Sequence, residues 1–310
     1  MKKFRVIFMG TPEFAVPPLE SIINSEKHEV VAVVTQPDRP VGRKAIITPS
    51  PVKIVAQKNN IPVLQFEKIG KEGVEALKAI NADAMVTCAY GQILTKEIID
   101  ICKLGIYNIH ASLLPKYRGA APIQYAVING EKTTGITIMK TDVGLDTGDI
   151  VESFELPILK YETSGELAER LSDLASKKIC EVLDNIESGN IVLKKQDDNL
   201  SSVVKTIKKT DNIIDFSKDN ITVVNFINGM NPWPIAQTVL NGKTIKIYRA
   251  EFSEGCGNVG EVLCAEKEII VACGSGAIKI TEIQEEGGKR LKASDYINGR
   301  KIFKGDILGK

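Results

Sequence analysis

The sequence predicts an α/β protein of two domains: a doubly wound, mostly parallel sheet domain, then a small β-barrel of the OB type. Three observations predict it. Up to His110, short β-branched apolar runs alternate with amphipathic segments, as strands buried on both faces and joined by helices do. Over 190–212 the chain turns polar and rich in lysine, which reads as a linker. Beyond it, short strand patterns recur with turn signals between them, as in small barrels.

The elements follow in order. The apolar run 4–9 is a first buried strand. Pro17 and Pro18 set the first turn of a helix over 16–24. A strand at 30–35, a helix at 51–58 and a short strand at 61–64 come next. The segment 71–80 is helical, with Val74, Ala76 and Leu77 as apolar positions. A strand at 82–89, a helix at 96–102 and a strand at 105–110 complete the alternation. Parallel strands so joined take right-handed crossovers and wind a sheet with helices on both faces. Strands at 135–141 and 150–156 lead into a long helix over 163–186, opened by the capping box Thr163-x-x-Glu166 and stopped by Gly189. After the linker, a helix over 221–228 ends at Gly229. Strands at 236–240, 244–252, 259–265, 268–272 and 277–282 follow, the first two joined by Asn241-Gly242, a strong hairpin signal.

Composition excludes several classes. A length of 310 residues suits two domains. Lys plus Arg number 40 against 39 Asp plus Glu, so a surface coated all over by nucleic acid is not expected, while local basic patches remain open. No apolar run approaches the ~18 residues of a membrane span. Behind the basic N-terminus only Val6–Met9 is apolar before Gly10-Thr11-Pro12, short of the ~7–15 residues of a secretion signal. The expectation is a cytoplasmic monomer without membrane attachment. None of the six cysteines forms C-x-x-C, and the only histidines are His28 and His110. That pattern suits neither a disulfide framework nor a metal site, and leaves histidine chemistry to one of two residues.

The first βα turn, Gly10-Thr11-Pro12-Glu13-Phe14, lacks the second glycine that lets a pyrophosphate approach the backbone, which disfavours a nicotinamide cofactor. The window 107–150 carries more. Asn108 and His110 lie two apart on a strand and share a face at its carboxyl end, where open α/β sheets bind ligands. The loop Ser112-Leu113-Leu114-Pro115 follows at once. An amide can donate to a carbonyl oxygen while an imidazole stabilises negative charge or shuttles a proton. Further on, Gly144-Leu145-Asp146-Thr147-Gly148 offers a carboxylate that could orient the ring. Taken singly, an Asn-x-His pair is often a satisfied polar pair, and Asp142 and Asp146 could be turn residues; their co-occurrence is what points to a site.

Asn108-x-His110-x-Ser112-Leu113-Leu114-Pro115 together with Asp146 resembles the folate-dependent formyltransferases. The blocks 10–14, 35–40, 117–124, 142–149 and 231–234 extend the resemblance over essentially the whole chain. It implies a Rossmann-like catalytic domain over 1–189, a basic linker over 190–208 and an OB-like, tRNA-contacting domain over 209–310. It implies transfer of a formyl group from 10-formyltetrahydrofolate, as cosubstrate, to the α-amino group of methionyl initiator tRNA for translation initiation, with no metal. Asn108, His110 and Asp146 would be catalytic, stabilising a tetrahedral intermediate. Tyr90, Gly91, Ile93, Leu94, Ser112, Leu113, Leu114, Pro115 and Asp142 would line the folate site.

The tRNA side rests on charge. The long loop 36–53 carries Arg39, Arg43 and Lys44, and by the resemblance it contacts the acceptor end. Lys205, Lys208 and Lys209 cluster in the linker; from Lys205 onward, 16 Lys and Arg stand against 13 Asp and Glu. Two alternatives stay open: a formyltransferase acting on glycinamide ribonucleotide or an amino sugar nucleotide, and a non-catalytic RNA- or nucleotide-binding protein. The 36–53 insertion and the β-rich C-terminal domain speak against the first.

Overall fold

The computed structural model describes residues 2–42 and 44–309. Its first sheet is built around β1 (Phe4–Gly10), whose Val6, Ile7, Phe8 and Met9 are fully buried. Such a strand needs neighbours on both edges and cover on both faces. After α1 (Val16–Ile23), β2 (His28–Thr35) pairs parallel to β1 from Phe4↔His28 to Met9↔Val34. A hairpin of β3 (Arg39–Val41) and β4 (Ile46–Thr48), then α2 (Pro51–Lys58), lead to β5 (Val63–Gln65), parallel to β2. Through α3 (Ile69–Glu72) and α4 (Val74–Ile80) the chain reaches β6 (Ala84–Cys88), parallel to β1 on its other edge. α5 (Lys96–Ile99) precedes β7 (Ile106–His110), parallel to β6. Next come β8 (Arg118–Gly119), α6 (Pro122–Ile128), β9 (Thr133–Lys140) and β10 (Ile150–Pro157). The sheet order is β10-β9-β7-β6-β1-β2-β5. The chain leaves β1 towards β5 and resumes on the other side at β6, so a switch point lies between β1 and β6.

The strand β9 runs antiparallel to β7, with Tyr107↔Lys140 and His110↔Thr137 opposed. A parallel return requires a helix packed across the sheet. Here the intervening helix α6 belongs to a different compact unit, so no such crossover forms. Three other details depart from the pattern read in the sequence. The helix expected over 71–80 is two helices parted at Gly73, where a Cβ would lie 2.9 Å from the Ile69 carbonyl oxygen. The 36–53 stretch contains the β3–β4 hairpin. The seven-residue α6, with a proline at its start, is too short for periodicity to reveal.

The described chain forms two units. One comprises residues up to Gly119, Gly135–Leu156 and Ala168–Val203; the other Ala120–Thr134, Pro157–Leu167 and everything from Val204 on. The long helix α7 (Ser164–Ser188) begins in the second and continues in the first. Its start is the expected capping box: Glu166 accepts from the Thr163 N–H at 2.9 Å, and the Glu166 N–H donates to Thr163 Oγ1 at 3.3 Å. Its end is Gly189 at φ +73°, followed by a bond from the Asn190 N–H to the Asn185 carbonyl at 2.9 Å.

The segment expected as a linker is held down. Lys194 and Ile150 exchange backbone bonds, and β11 (Val203–Val204) pairs β8. In the second unit, α8 (Asn220–Gly229) packs its Val223, Val224 and Ile227 on an antiparallel sheet. That sheet consists of β12 (Ala236–Leu240), β13 (Lys243–Ser253), β14 (Val262–Ala265), β15 (Ile269–Ala272), β16 (Ala277–Glu285) and β17 (Leu291–Lys292), in the order β12-β13-β16-β15-β14 with β17 on β16. A short helix, α9 (Ala293–Asn298), follows. Ile245 and Ile247, Ile269 and Val271, Ile278 and Ile280 are buried at period two, the mark of a one-faced core. Asn241 and Gly242 have φ +50° and +76°, the two left-handed residues of a type I′ hairpin.

Thr163→Ala removes the cap of α7 and is expected to lower stability by about 1 kcal/mol in denaturant titration. Burial pushes the Glu166 carboxyl up, but the Thr163 and Arg249 hydrogen bonds outweigh it and the net shift is down. A lowered folded value stabilises above the ordinary carboxylate range and is lost as pH falls through it. The difference between wild type and Thr163→Ala is therefore expected to shrink on acidification below about pH 4; a pH-independent difference would count against the cap.

Candidate active site

Period two in β7 puts Asn108 and His110 on one face, and each is oriented by a neighbour distant in sequence. Thr87, opposite Asn108 in register, donates its hydroxyl to Asn108 Oδ1 at 2.9 Å. The amide therefore presents its N–H groups to the site, and Nδ2 lies 3.4 Å from Asp146 Oδ1. His110 is buried, with Nε2 2.9 Å from the Tyr117 carbonyl. A carbonyl can only accept, so Nε2 carries a proton and Nδ1 is the nitrogen left to act. Nδ1 stands 3.6 Å from Asp146 Oδ2. The ring is thus held by a backbone carbonyl on one side and faces the carboxylate on the other.

Asp146 arrives from the loop between β9 and β10. Because β9 is antiparallel to β7, that loop leaves beside the amino end of β7 and folds back over it. The fold-back is tight. Gly148 touches the Lys140 carbonyl so closely that a Cβ would lie 1.8 Å from it, and Asp146 itself is left-handed at φ +52°. The Gly119 N–H donates to Asp146 Oδ2 at 2.8 Å. Asp142 braces the same loop, accepting from the Gly144 N–H at 3.0 Å and from the Thr147 hydroxyl at 2.7 Å.

The residues expected around folate fall into three groups. Tyr90–Leu94 follow β6 at the switch point, where Thr11 Oγ1 and Gln36 Nε2 donate to the Tyr90 carbonyl at 3.0 and 3.1 Å. Gly91 has φ +89°, and the buried Tyr90 hydroxyl finds no hydrogen-bond partner among the described residues. Burial pushes that phenol up to about 12. Ile93 is 87% exposed, and Val143 and Leu145 are 71% and 57% exposed. Large apolar side chains left in water mark a surface that meets another molecule. In the third group, Ser112 and Leu114 are buried, while Leu113 and Pro115 are half-buried. The Ser112 hydroxyl is spent on the Lys116 carbonyl at 2.6 Å, and Thr137 ties the Ser112 carbonyl and the Leu114 N–H.

The other candidate groups lie elsewhere. Arg39 and Lys44 are exposed in the β3–β4 hairpin, Arg39 paired with Glu67; Arg43 lies outside the described residues. Lys205, Lys208 and Lys209 are exposed while Val204 before them and Ile207 among them are buried, so the segment anchors by its apolar residues and turns its cations outward. His28 is buried at the start of β2, and burial, opposed by Asp184, pushes its imidazole down. Burial also raises the Cys88 thiol, which stays protonated near neutral pH. Thr87 and Gln196 escaped the sequence reading, and Tyr117 and Gly119 entered it only within the 117–124 block, without a role.

An amide, an imidazole and a carboxylate around one point beside a sheet, with no activated nucleophile among them, equip an enzyme for moving an acyl group between two bound substrates. Residues 2–183 match the formyl transferase family and residues 206–301 match the formyl transferase C-terminal domain. The chain is 46% identical over 312 residues to the methionyl-tRNA formyltransferase of Citrifermentans bemidjiense, covering 100% of this chain and 98% of that one. It is 44% identical over 310 residues to the protein of the same name from Bacillus subtilis, covering 98% of each. The chain belongs to the formyl transferase family. Among solved structures it is similar to WlaRD, a sugar 3N-formyl transferase, with TM-score 0.68 and 22% identity over 92% of this chain and 98% of that one. It is similar also to HypX from Aquifex aeolicus in complex with tetrahydrofolic acid, with TM-score 0.67 and 17% identity over 96% of this chain and 47% of that one. At these identities the likeness is one of fold.

Gly148→Ala forces a methyl group into the Lys140 carbonyl and must move the loop that carries Asp146. We expect a stability loss of about 1–3 kcal/mol together with loss of turnover that persists well below the variant's melting temperature. Full activity in a stably folded Gly148→Ala would show that the loop's position is not needed.

Proposed function

We propose that this protein transfers the formyl group of 10-formyltetrahydrofolate to the α-amino group of methionyl initiator tRNA, in the cytoplasm and as a monomer. The observation that carries the reading is the convergence of Asn108, His110 and Asp146 within a chain that matches both formyl transferase domains. Full-length similarity to enzymes of that name supports the choice of acceptor. No helix among the described residues is long and apolar enough to cross a membrane.

Formyl transfer to an amine passes through a tetrahedral carbon whose oxygen gathers negative charge. The Asn108 N–H groups meet that charge: the Asp146 carboxylate, which only accepts, faces Nδ2, and the Thr87 hydroxyl donates to Oδ1. His110 supplies a second donor when Nδ1 is protonated, Nε2 being committed to Tyr117. Asp146 stands 3.6 Å from Nδ1 and balances a proton there or receives the proton of the attacking amine, directly or through a water; collapse of the tetrahedral carbon then breaks its bond to folate N10, which takes up that proton and leaves as tetrahydrofolate. The folate-binding groups are the Tyr90–Leu94 turn and the exposed apolar residues of the 142–146 loop; backbone polar groups and apolar walls explain why no phosphate fingerprint is needed. Arg39, Arg43 and Lys44, with Lys205, Lys208 and Lys209, take the tRNA phosphates.

Purified protein is expected to formylate charged initiator tRNA with labelled formyl donor, and not glycinamide ribonucleotide or an amino sugar nucleotide. His110→Ala should lower turnover at least ~100-fold with tRNA affinity little changed; undiminished turnover removes His110 from the chemistry. Replacing Lys205, Lys208 and Lys209 together by Ala should raise KM for tRNA and flatten its salt dependence with kcat retained. An unchanged salt slope would take that cluster out of the tRNA contact.

A further inference from the structure

We infer that Gln196 is a positioning residue for Asp146, acting with Arg118 as a clamp on the 146–148 turn. The inference rests on the formyl-transfer reading of the site and extends it to a segment outside the three converging side chains. Gln196 Nε2 donates to the Asp146 carbonyl and to the Gly148 carbonyl, both at 2.8 Å. Its Oε1 accepts from Arg118 Nε at 3.0 Å and Arg118 Nη2 at 2.8 Å. The guanidinium only donates and the two carbonyls only accept, so the amide has one possible orientation and both of its hydrogens are spent across the turn. Arg118 is buried, and its charge is met by Asp198 at 2.9 Å.

The clamp has something to resist. A non-glycine residue in the left-handed region persists where its surroundings over-determine it, and Asp146 has φ +52°. Two adjacent residues of β8 hold it from opposite ends. The Gly119 N–H takes the carboxylate, and Arg118, through Gln196, takes the backbone. Without the amide, the two carbonyls lose their donors and the turn loses its tie to β8. The carboxylate would then shift relative to Asn108 and His110, and displacements of that kind lower the rate of the chemical step rather than the affinity for substrate.

Gln196→Glu keeps the volume and still accepts from Arg118, but opposes an oxygen to the two carbonyls. Gln196→Met keeps the length without polar atoms. Both are measured beside wild type and beside Lys195→Ala, an exposed neighbour expected to behave as wild type. We expect kcat for methionyl-tRNA to fall about 10- to 100-fold with KM for both substrates within about twofold of wild type. We also expect faster amide hydrogen exchange confined to residues 142–149, with the melting temperature retained. Unchanged exchange over 142–149, or wild-type kcat in both variants, overturns the inference. So does global unfolding of both variants, which would make Gln196 a merely structural residue. Failure of wild type itself to formylate methionyl-tRNA defeats the functional reading alone, because the exchange measurement still decides whether Gln196 holds the turn.

Discussion

The carboxylate of Asp146 is where the candidate site is tied together. It accepts from the Gly119 backbone at 2.8 Å, lies 3.4 Å from the Asn108 amide and 3.6 Å from the His110 ring, and its own backbone is left-handed. Each contact is modest alone. Together they require that a loop from an antiparallel strand fold back over the face of a parallel one. The glycine at 148 makes that path sterically possible, and no other side chain would fit against the Lys140 carbonyl.

The sheet explains why these groups can be held still. β7 is flanked by β6 and β9, and Ile106, Ile109, Ile136 and Ile138 are buried around it. Side chains on such a strand inherit the rigidity of a packed interior. Thr87 reaches Asn108 because the two are in register, and its hydroxyl on Oδ1, with Asp146 facing Nδ2, orients the amide. The histidine is treated differently. A backbone carbonyl seven residues on holds Nε2, which reserves Nδ1 for the carboxylate.

The C-terminal unit follows another logic. Its core is made of isoleucines and valines alternating along antiparallel strands, with a helix packed against them. Its cations are outward, and several are already paired, Arg290 with Glu282 and Lys301 with Glu285 among them. Paired cations on a surface are weak steering groups. The lysines of the connecting segment are placed outward by the burial of Val204 and Ile207.

Much of this was legible in the residues. The alternation of strands and helices, the Thr163–Glu166 box, the Gly189 stop and the Asn241-Gly242 turn are local, and local propensity wrote them into neighbouring positions. Period two alone put Asn108 and His110 on one face. What the tertiary structure decided was pairing at a distance. Asp146 stands 38 residues from Asn108, Gln196 is 78 from Arg118, and β9 turned antiparallel because α6 joined the other unit. A hydrogen bond between residues far apart leaves no periodic trace in either segment. Its geometry exists only once packing has brought carboxylate and clamp to the same place.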